Sequence, residues 1–114
     1  MIIGGSHTKY LAAALRGLEA KRQASEHNIA NVETPGFKAR QVSFENSLRT
    51  AMESGDPTSA SISTSRSNAP TRIDGSNVDI EGEVTALELN ALQQQLVTRA
   101  LNASYGRLRA SIGR

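Results

Sequence analysis

The sequence predicts an all-α fold in which two long helices, one near each end of the chain, pair as an antiparallel, coiled-coil-like hairpin. Apolar residues recur at helical spacing in residues 6–32 and 79–112, and the residues between them are rich in Ser, Thr, Gly and Pro. An irregular Ser/Thr-rich connector and short extended segments complete the prediction. A chain of 114 residues has room for one domain, residues 1–114, with a small core.

The first helix is expected over residues 6–32, with Ser6 or Thr8 as its N-cap. Its apolar residues follow alternating steps of four and three, which is the period of a coiled-coil seam, but Arg22 and Ser25 interrupt the stripe. An interrupted seam is not expected to be stable alone. The predicted seam residues of this helix are Leu11, Leu15, Leu18 and Ile29.

A turn should follow the first helix, which is expected to end near Asn31. Pro35 disfavours helical backbone at Thr34, and Pro35 with Gly36 suits the two central positions of a type II turn. We therefore assign residues 33–53 to this turn and to a short irregular or extended stretch after it.

Residues 54–78 are expected to form a flexible connector. Small and polar residues dominate, and Ile62 is the single large aliphatic residue in 54–72. Such a segment buries too little apolar surface to offset its loss of conformational entropy. We expect it to become ordered only against neighbouring molecules.

The last helix, residues 79–112, is the strongest helix prediction in the chain. Asp79 is the expected N-cap, while Thr85 with Glu88 forms a rival capping box. Gly82 is a poor helix former, so the sequence does not decide at which residue the helix begins. Acidic residues near the start and Arg107, Arg109 and Arg114 near the end suit the helix dipole.

This last helix carries two apolar stripes, whereas pairing with one partner requires only one. Extra apolar surface of this kind indicates contacts with other subunits, although periodicity alone also permits a lone hairpin with a partly apolar surface. The predicted seam contains Val84, Leu87, Leu101, Tyr105, Leu108 and Ile112, with Ala91, Gln94 and Thr98 between them, and the second stripe contains Leu89, Leu92 and Leu96.

The residues offer no catalytic or metal-binding constellation. The absence of Cys excludes disulfides, thiolate metal sites and a cysteine nucleophile. His7 and His27 lie about five helical turns apart, too far to share a metal ion. Residues 74–81 faintly resemble a calcium loop, but the glycine stands at the wrong position. We therefore expect no enzyme activity, no metal and no cofactor.

Charge and hydropathy argue against nucleic acid and membranes as partners. The 13 basic and 11 acidic residues give a net charge of +2, and the basic residues are scattered along the chain rather than clustered. No apolar run approaches the ~20 residues of a membrane span. Residues 1–5 lack the charged and apolar regions of a cleaved secretory signal.

Two sequence blocks identify a family. Residues 28–40 resemble the N-terminal signature of the flagellar axial proteins, which comprise rod, hook and hook-associated types. Residues 74–83 resemble the short block before the last helix in proximal-rod proteins of the FlgB type; Phe37 stands where many relatives have Tyr, and is expected to be a buried anchor. The signature residues are Asn28, Ile29, Ala30, Asn31, Thr34, Pro35, Gly36, Phe37, Asp74, Gly75, Asn77, Val78 and Asp79.

The resemblance implies a structural subunit of the bacterial flagellar basal-body rod, which polymerises into the drive shaft and export channel. It also implies export by the flagellar type III apparatus without a cleaved signal, and a place in the periplasmic rod. The implied partners are copies of the chain, other rod proteins, the inner-membrane basal-body ring and export-gate components. A small helical adaptor or chaperone of a secretion system is the alternative function, and a basic nucleic-acid-binding hairpin is a weaker one.

Overall fold

The computed structural model describes residues 5–113 of an elongated molecule that measures 64 × 26 × 14 Å. Helix accounts for 65% of the structure, and its two longest helices stand near the two ends of the chain. The elements in chain order are α1 (Gly5–Ala30), β1 (Arg40–Ser43), α2 (Glu45–Ser54), a single 3-10 turn (Pro57–Ser59), β2 (Ser63–Arg66) and α3 (Ile80–Ile112).

The predicted all-α class is wrong in one respect, because β1 and β2 form a two-stranded antiparallel sheet. Arg40 pairs with Arg66 at one end of the ladder and Ser43 pairs with Ser63 at the other. Both strands are short and mostly exposed, so they lack the alternation of apolar and polar residues that reveals a strand in a sequence. The strand β2 and the 3-10 turn lie in the predicted connector, and α2 lies in the stretch predicted as irregular or extended.

The two long helices α1 and α3 run antiparallel and form the hairpin. The side-chain amide of Asn28 donates to Glu83 Oε2 at 2.8 Å, and that of Asn90 donates to the carbonyl of Leu18 at 2.8 Å. Positions late in α1 therefore lie beside the start of α3, and earlier positions in α1 lie beside later ones in α3. Polar groups thus contribute directly to the register of the hairpin.

A second face of α1 packs against β1 and α2. Phe44, which precedes α2, is 6% exposed and lies over Gly17 so closely that a β-carbon there would stand 2.3 Å from the ring. Lys21 pairs with Glu45, and its ammonium group lies 5.5 Å from the centre of the Phe44 ring. Phe44 therefore anchors the middle of the chain to α1.

The helix ends follow local rules. The first helix ends at Ala30, beside the predicted Asn31, and the Asn31 side chain donates to the carbonyl of His27 at 2.9 Å. Thr8 lies inside α1 rather than at its N-cap, because Gly5 is already part of the helix. The side chain of Ser6 lies outside the described residues, as do residues 1–4 and 114.

Asp79 is the N-cap of α3, as predicted, and its carboxylate accepts from the backbone N–H of Gly82 at 3.3 Å. A β-carbon at Gly82 would stand only 2.7 Å from Asp79 Oδ2. The glycine that weakens the helix prediction is therefore the residue that leaves room for the cap.

The core is small and unusually polar. No buried side-chain nitrogen or oxygen atom among residues 7–113 lacks a hydrogen-bond partner, so the polar core of this part of the chain is fully satisfied. None of the described helices is long and apolar enough to cross a membrane. The buried residues are Ala13, Leu18, Ala24, Ala39, Phe44, Ala51, Val78 and Leu101 among the apolar ones, and Ser25, Asn28, Ser67, Ser76, Asn77, Asn90 and Ser104 among the polar ones.

Candidate functional site: the signature junction and the outer face of the last helix

The two signature blocks, residues 28–40 and 74–83, meet at one end of the hairpin. We call this region the signature junction. The backbone N–H of Gly36 donates to the carbonyl of Asp74 at 2.8 Å, and that of Asn77 donates to the carbonyl of Phe37 at 3.2 Å. Segments almost 40 residues apart in the chain are thus joined by main-chain hydrogen bonds.

Asn28 is the first of two buried amides that hold the junction, with 1% of its surface exposed. Its Oδ1 accepts from the backbone N–H of Arg40 at 2.8 Å, and its Nδ2 donates to the Arg40 carbonyl at 3.0 Å and to Glu83 at 2.8 Å. One side chain therefore connects α1 with β1 and α3. Glu83 reaches this amide from the first turn of α3.

Asn77 is the second buried amide, and it connects the other segments of the junction. Its Oδ1 accepts from the backbone N–H of Ala39 at 2.7 Å. Its Nδ2 donates to the carbonyls of Ser67 and Ala69, at 3.0 and 3.2 Å. Because Asn offers both a donor and an acceptor on one planar group, it can bridge backbone segments in this way.

Two glycine turns face each other across the junction. The N–H of Phe37 donates to the Thr34 carbonyl at 3.2 Å and Gly36 has φ 75°, which confirms the predicted type II turn. Gly75 has φ 85°, and a β-carbon there would stand 3.3 Å from the Cα of Gly36. Both turns therefore need glycine for their conformation, and Gly75 is also needed for the close approach.

Arg72 closes the junction, and the sequence analysis did not single it out. Its guanidinium donates to the carbonyl of Val78 at 2.7 Å and to the carbonyl of Val32, just after α1. The carboxylate of Asp74 lies 3.8 Å away. No spacing rule links an arginine to a carbonyl 40 residues away, so the sequence held no signal for its contact with Val32.

The remaining signature residues vary in exposure. Phe37 is half-buried rather than buried. The centre of its ring lies 5.5 Å from the centre of the His27 ring and 5.6 Å from the guanidinium carbon of Arg66. Phe44 is the buried aromatic residue instead. Val78 is buried and Asp74 is exposed; of the rest, Ile29 and Asn31 are half-buried, and Ala30, Thr34 and Pro35 are exposed.

The side of α3 that faces α1 only partly coincides with the predicted seam. Leu87 and Leu101 lie on that side, half-buried and buried respectively. Between them, Asn90 and Val97 are more buried than Ala91 and Thr98, the predicted positions one residue later. On α1, Leu18 is buried and Leu11, Leu15 and Ile29 are half-buried, whereas on α3 the predicted seam residues Val84, Tyr105, Leu108 and Ile112 are exposed.

The opposite side of α3 presents the second predicted stripe to solvent. We call it the outer face; at its centre Leu89, Leu92 and Leu96 are 55%, 60% and 66% exposed. At 3.6 residues per turn, Leu92 points about 180° away from Leu101, the buried residue on the side of α1. The hairpin therefore leaves this stripe without a partner among residues 5–113.

Two basic side chains on α1, Lys21 and Arg22, are engaged by carboxylates. Arg22 donates hydrogen bonds to the carboxylates of Glu19 and Glu26, and these bonds raise the pKa of Arg22. Partial burial favours the neutral form of Glu45, but the hydrogen bond from Lys21 and backbone donors outweigh it and lower the pKa of the Glu45 carboxyl. The described residues hold no cluster of three or more potential metal ligands.

The known proteins to which the chain is similar share one name. No protein-family model matches the chain. The flagellar basal body rod protein FlgB of Bacillus subtilis is 30% identical over 112 residues, which cover 87% of each chain. FlgB of Escherichia coli is 34% identical over 81% of this chain and 87% of its own, and FlgB of Borreliella burgdorferi is 29% identical over 71% and 76%. The chain therefore belongs to the family of the flagellar basal body rod protein FlgB.

Proposed function

We propose that the chain is a non-catalytic structural subunit of the flagellar basal-body rod, which polymerises with copies of itself and with other rod proteins. Its relatives carry the name of a rod protein, and its outer face supplies an assembly surface. The observation that carries the proposal is the row of Leu89, Leu92 and Leu96, each more than half exposed and centred on the side of α3 that points away from the buried Leu101. Burying such side chains against a neighbour removes apolar area from water, the main driving force of association.

The signature junction has a supporting role in this proposal. It fixes the start of α3 to the end of α1 through Asn28 and to the middle segments through Asn77. A helix held at one end by several segments presents its outer face in a defined orientation. We infer that the signature acts on assembly indirectly, by positioning α3, rather than as a contact surface.

Export through the flagellar type III apparatus, without a cleaved signal, and a periplasmic position in the proximal rod belong to the same proposal. Contacts with the inner-membrane ring and the export gate would follow from that position. The family resemblance supports these features.

The test is complementation of a strain that lacks the gene. The wild-type chain should restore swimming and an intact rod, and Leu92→Asp should not, because it puts a carboxylate at the centre of the outer face. Asn102→Asp is the matched control, since Asn102 is exposed on α3 but lies off the apolar stripe. Equal swimming of both variants would refute the surface, and assembled rods in the deletion strain would refute the rod function.

Leu101→Asp answers a different question. Leu101 is 8% exposed and lies inside the hairpin, so its replacement acts on folding before it acts on assembly. It should abolish incorporation while synthesis continues, with a loss of helix in the purified chain. Leu92→Asp should keep its helix content, because its side chain is 60% exposed.

A further inference from the structure

The charges of the outer face are divided between its two ends. Glu81 and Glu88 stand before the leucine stripe, and Arg99 and Arg107 stand after it. At 3.6 residues per turn, all four lie within about 60° of the direction of Leu92, so they share its side of the helix. Among the described residues, no salt bridge engages any of these four side chains.

The outer face of one chain is complementary to the outer face of a second chain whose α3 runs in the opposite direction. We propose that, before incorporation, two copies of the chain pair antiparallel through the outer faces of their α3 helices. In a pair centred between Leu92 and Leu96, Leu92 of each copy contacts Leu96 of the other. The same register places Glu81 opposite Arg107 twice, once on each side of the two-fold axis.

The positions between these contacts also fit. Thr85 comes opposite Ala103, so two small side chains meet where the helices must approach. Leu89 comes opposite Arg99, whose aliphatic stem covers the leucine while its guanidinium reaches towards Glu88 of the other copy. Glu81 with Arg107, Thr85 with Ala103 and Leu92 with Leu96 therefore pair opposite charges, small side chains and leucines, while Leu89 packs on the stem of Arg99.

Charge decides the direction of the pair. A parallel pair would set Glu81 beside Glu81 and Arg107 beside Arg107, and like charges at facing positions oppose association. The antiparallel pair turns the same four charges into attractions. A two-fold pair of this kind is isologous and closes on itself, so it cannot grow into a filament.

The pair would cover the leucine stripe of unassembled chains and keep them from polymerising in the wrong place. This protective role rests on the proposed function, because the pair would have to dissociate before its chains could join a growing rod. The pairing itself is a property of the purified chain. It can therefore fail while the rod function stands, and the complementation test tells the two apart.

The first measurement is sedimentation velocity of the purified full chain at micromolar concentrations. The wild type should sediment as a dimer, and Leu92→Glu as a monomer with unchanged helix content by circular dichroism. Raising the salt concentration should weaken the dimer without abolishing it, since salt screens the ion pairs but not the apolar contact. A wild type that stays monomeric throughout would overturn the proposal.

The second measurement is a charge exchange. Glu81→Arg and Arg107→Glu should each weaken self-association about tenfold, because each turns two weak attractions into repulsions. An equimolar mixture of the two variants should dimerise as the wild type does, since both contacts become attractive again. A mixture no stronger than either variant alone would overturn the register.

The third measurement fixes the direction of the pair, and the absence of native cysteine makes it clean. A short bismaleimide should join Thr85→Cys chains to Ala103→Cys chains in a mixture. Neither variant alone should cross-link, because identical positions lie ~27 Å apart along the axis of an antiparallel pair. Efficient cross-linking of Thr85→Cys chains to one another would show a parallel pair and refute the proposal.

Discussion

Replacing Asn28 by alanine tests whether the signature junction holds the fold together. Asn28 is 1% exposed and makes three hydrogen bonds, two with the backbone of Arg40 and one with Glu83. A hydrogen bond contributes about 0.5–1.5 kcal/mol, and buried groups left without partners add to the loss. We therefore expect Asn28→Ala to lower the free energy of unfolding by about 3–4 kcal/mol.

The assay is thermal and urea unfolding followed by far-UV circular dichroism. A loss of this size should lower the melting temperature by roughly 10–20 °C in a domain of this length. Asn46→Ala is the matched control, because Asn46 is exposed on α2 and, among the described residues, its side chain bonds only to nearby Arg49. That variant should change the free energy of unfolding by about 0.5 kcal/mol or less.

Asn28→Asp sharpens the experiment because it keeps the size of the side chain. A carboxylate cannot donate to the Arg40 carbonyl, and it would face the carboxylate of Glu83. This variant should be at least as unstable as Asn28→Ala at neutral pH. If Asn28→Ala loses no more stability than Asn46→Ala, the junction does not hold the hairpin and the argument fails.

Three other substitutions test single contacts. Gly17→Ala should cost about 1–3 kcal/mol in urea unfolding, since its β-carbon would meet the Phe44 ring; an unchanged midpoint would refute this packing. Gly75→Ala, at φ 85°, should cost about 1–2 kcal/mol, and a neutral effect would show that the turn relaxes freely. The pKa of Glu45 is lowered in the folded chain, so its ion pair with Lys21 stabilises the fold at pH values above the unfolded-state pKa. That contribution is lost as pH falls through the folded pKa, and Glu45→Gln should remove this part of the pH dependence of stability.

Local physics made several features readable from the sequence. The end of α1, the type II turn at Pro35-Gly36 and the cap at Asp79 each depend on residues within four positions of one another. The helical segments were also readable, because their apolar residues repeat at the helical period over many turns. The two signature blocks carried the family identity.

The position of the helix seam illustrates the limit of periodicity. Between Leu87 and Leu101, the predicted and the observed positions both advance in steps of three and four, so the period alone cannot choose between Ala91 and Asn90 or between Thr98 and Val97. The packing instead follows Asn90, which donates to the carbonyl of Leu18. A polar residue in the seam has no apolar signal, and its partner lies 72 residues away in the chain.

By itself, the sequence determined the two helices, the turn and cap that bound them, and the excess apolar stripe on the last helix. Tertiary structure alone decided which face of α3 meets α1, that β1 pairs with β2, and that Asn28 and Asn77 join segments distant in the chain. The reason is the range of the interactions. Caps, turns and helical repeats are set by neighbours along the chain, whereas strand pairing and buried amide bridges exist only once distant segments have come together.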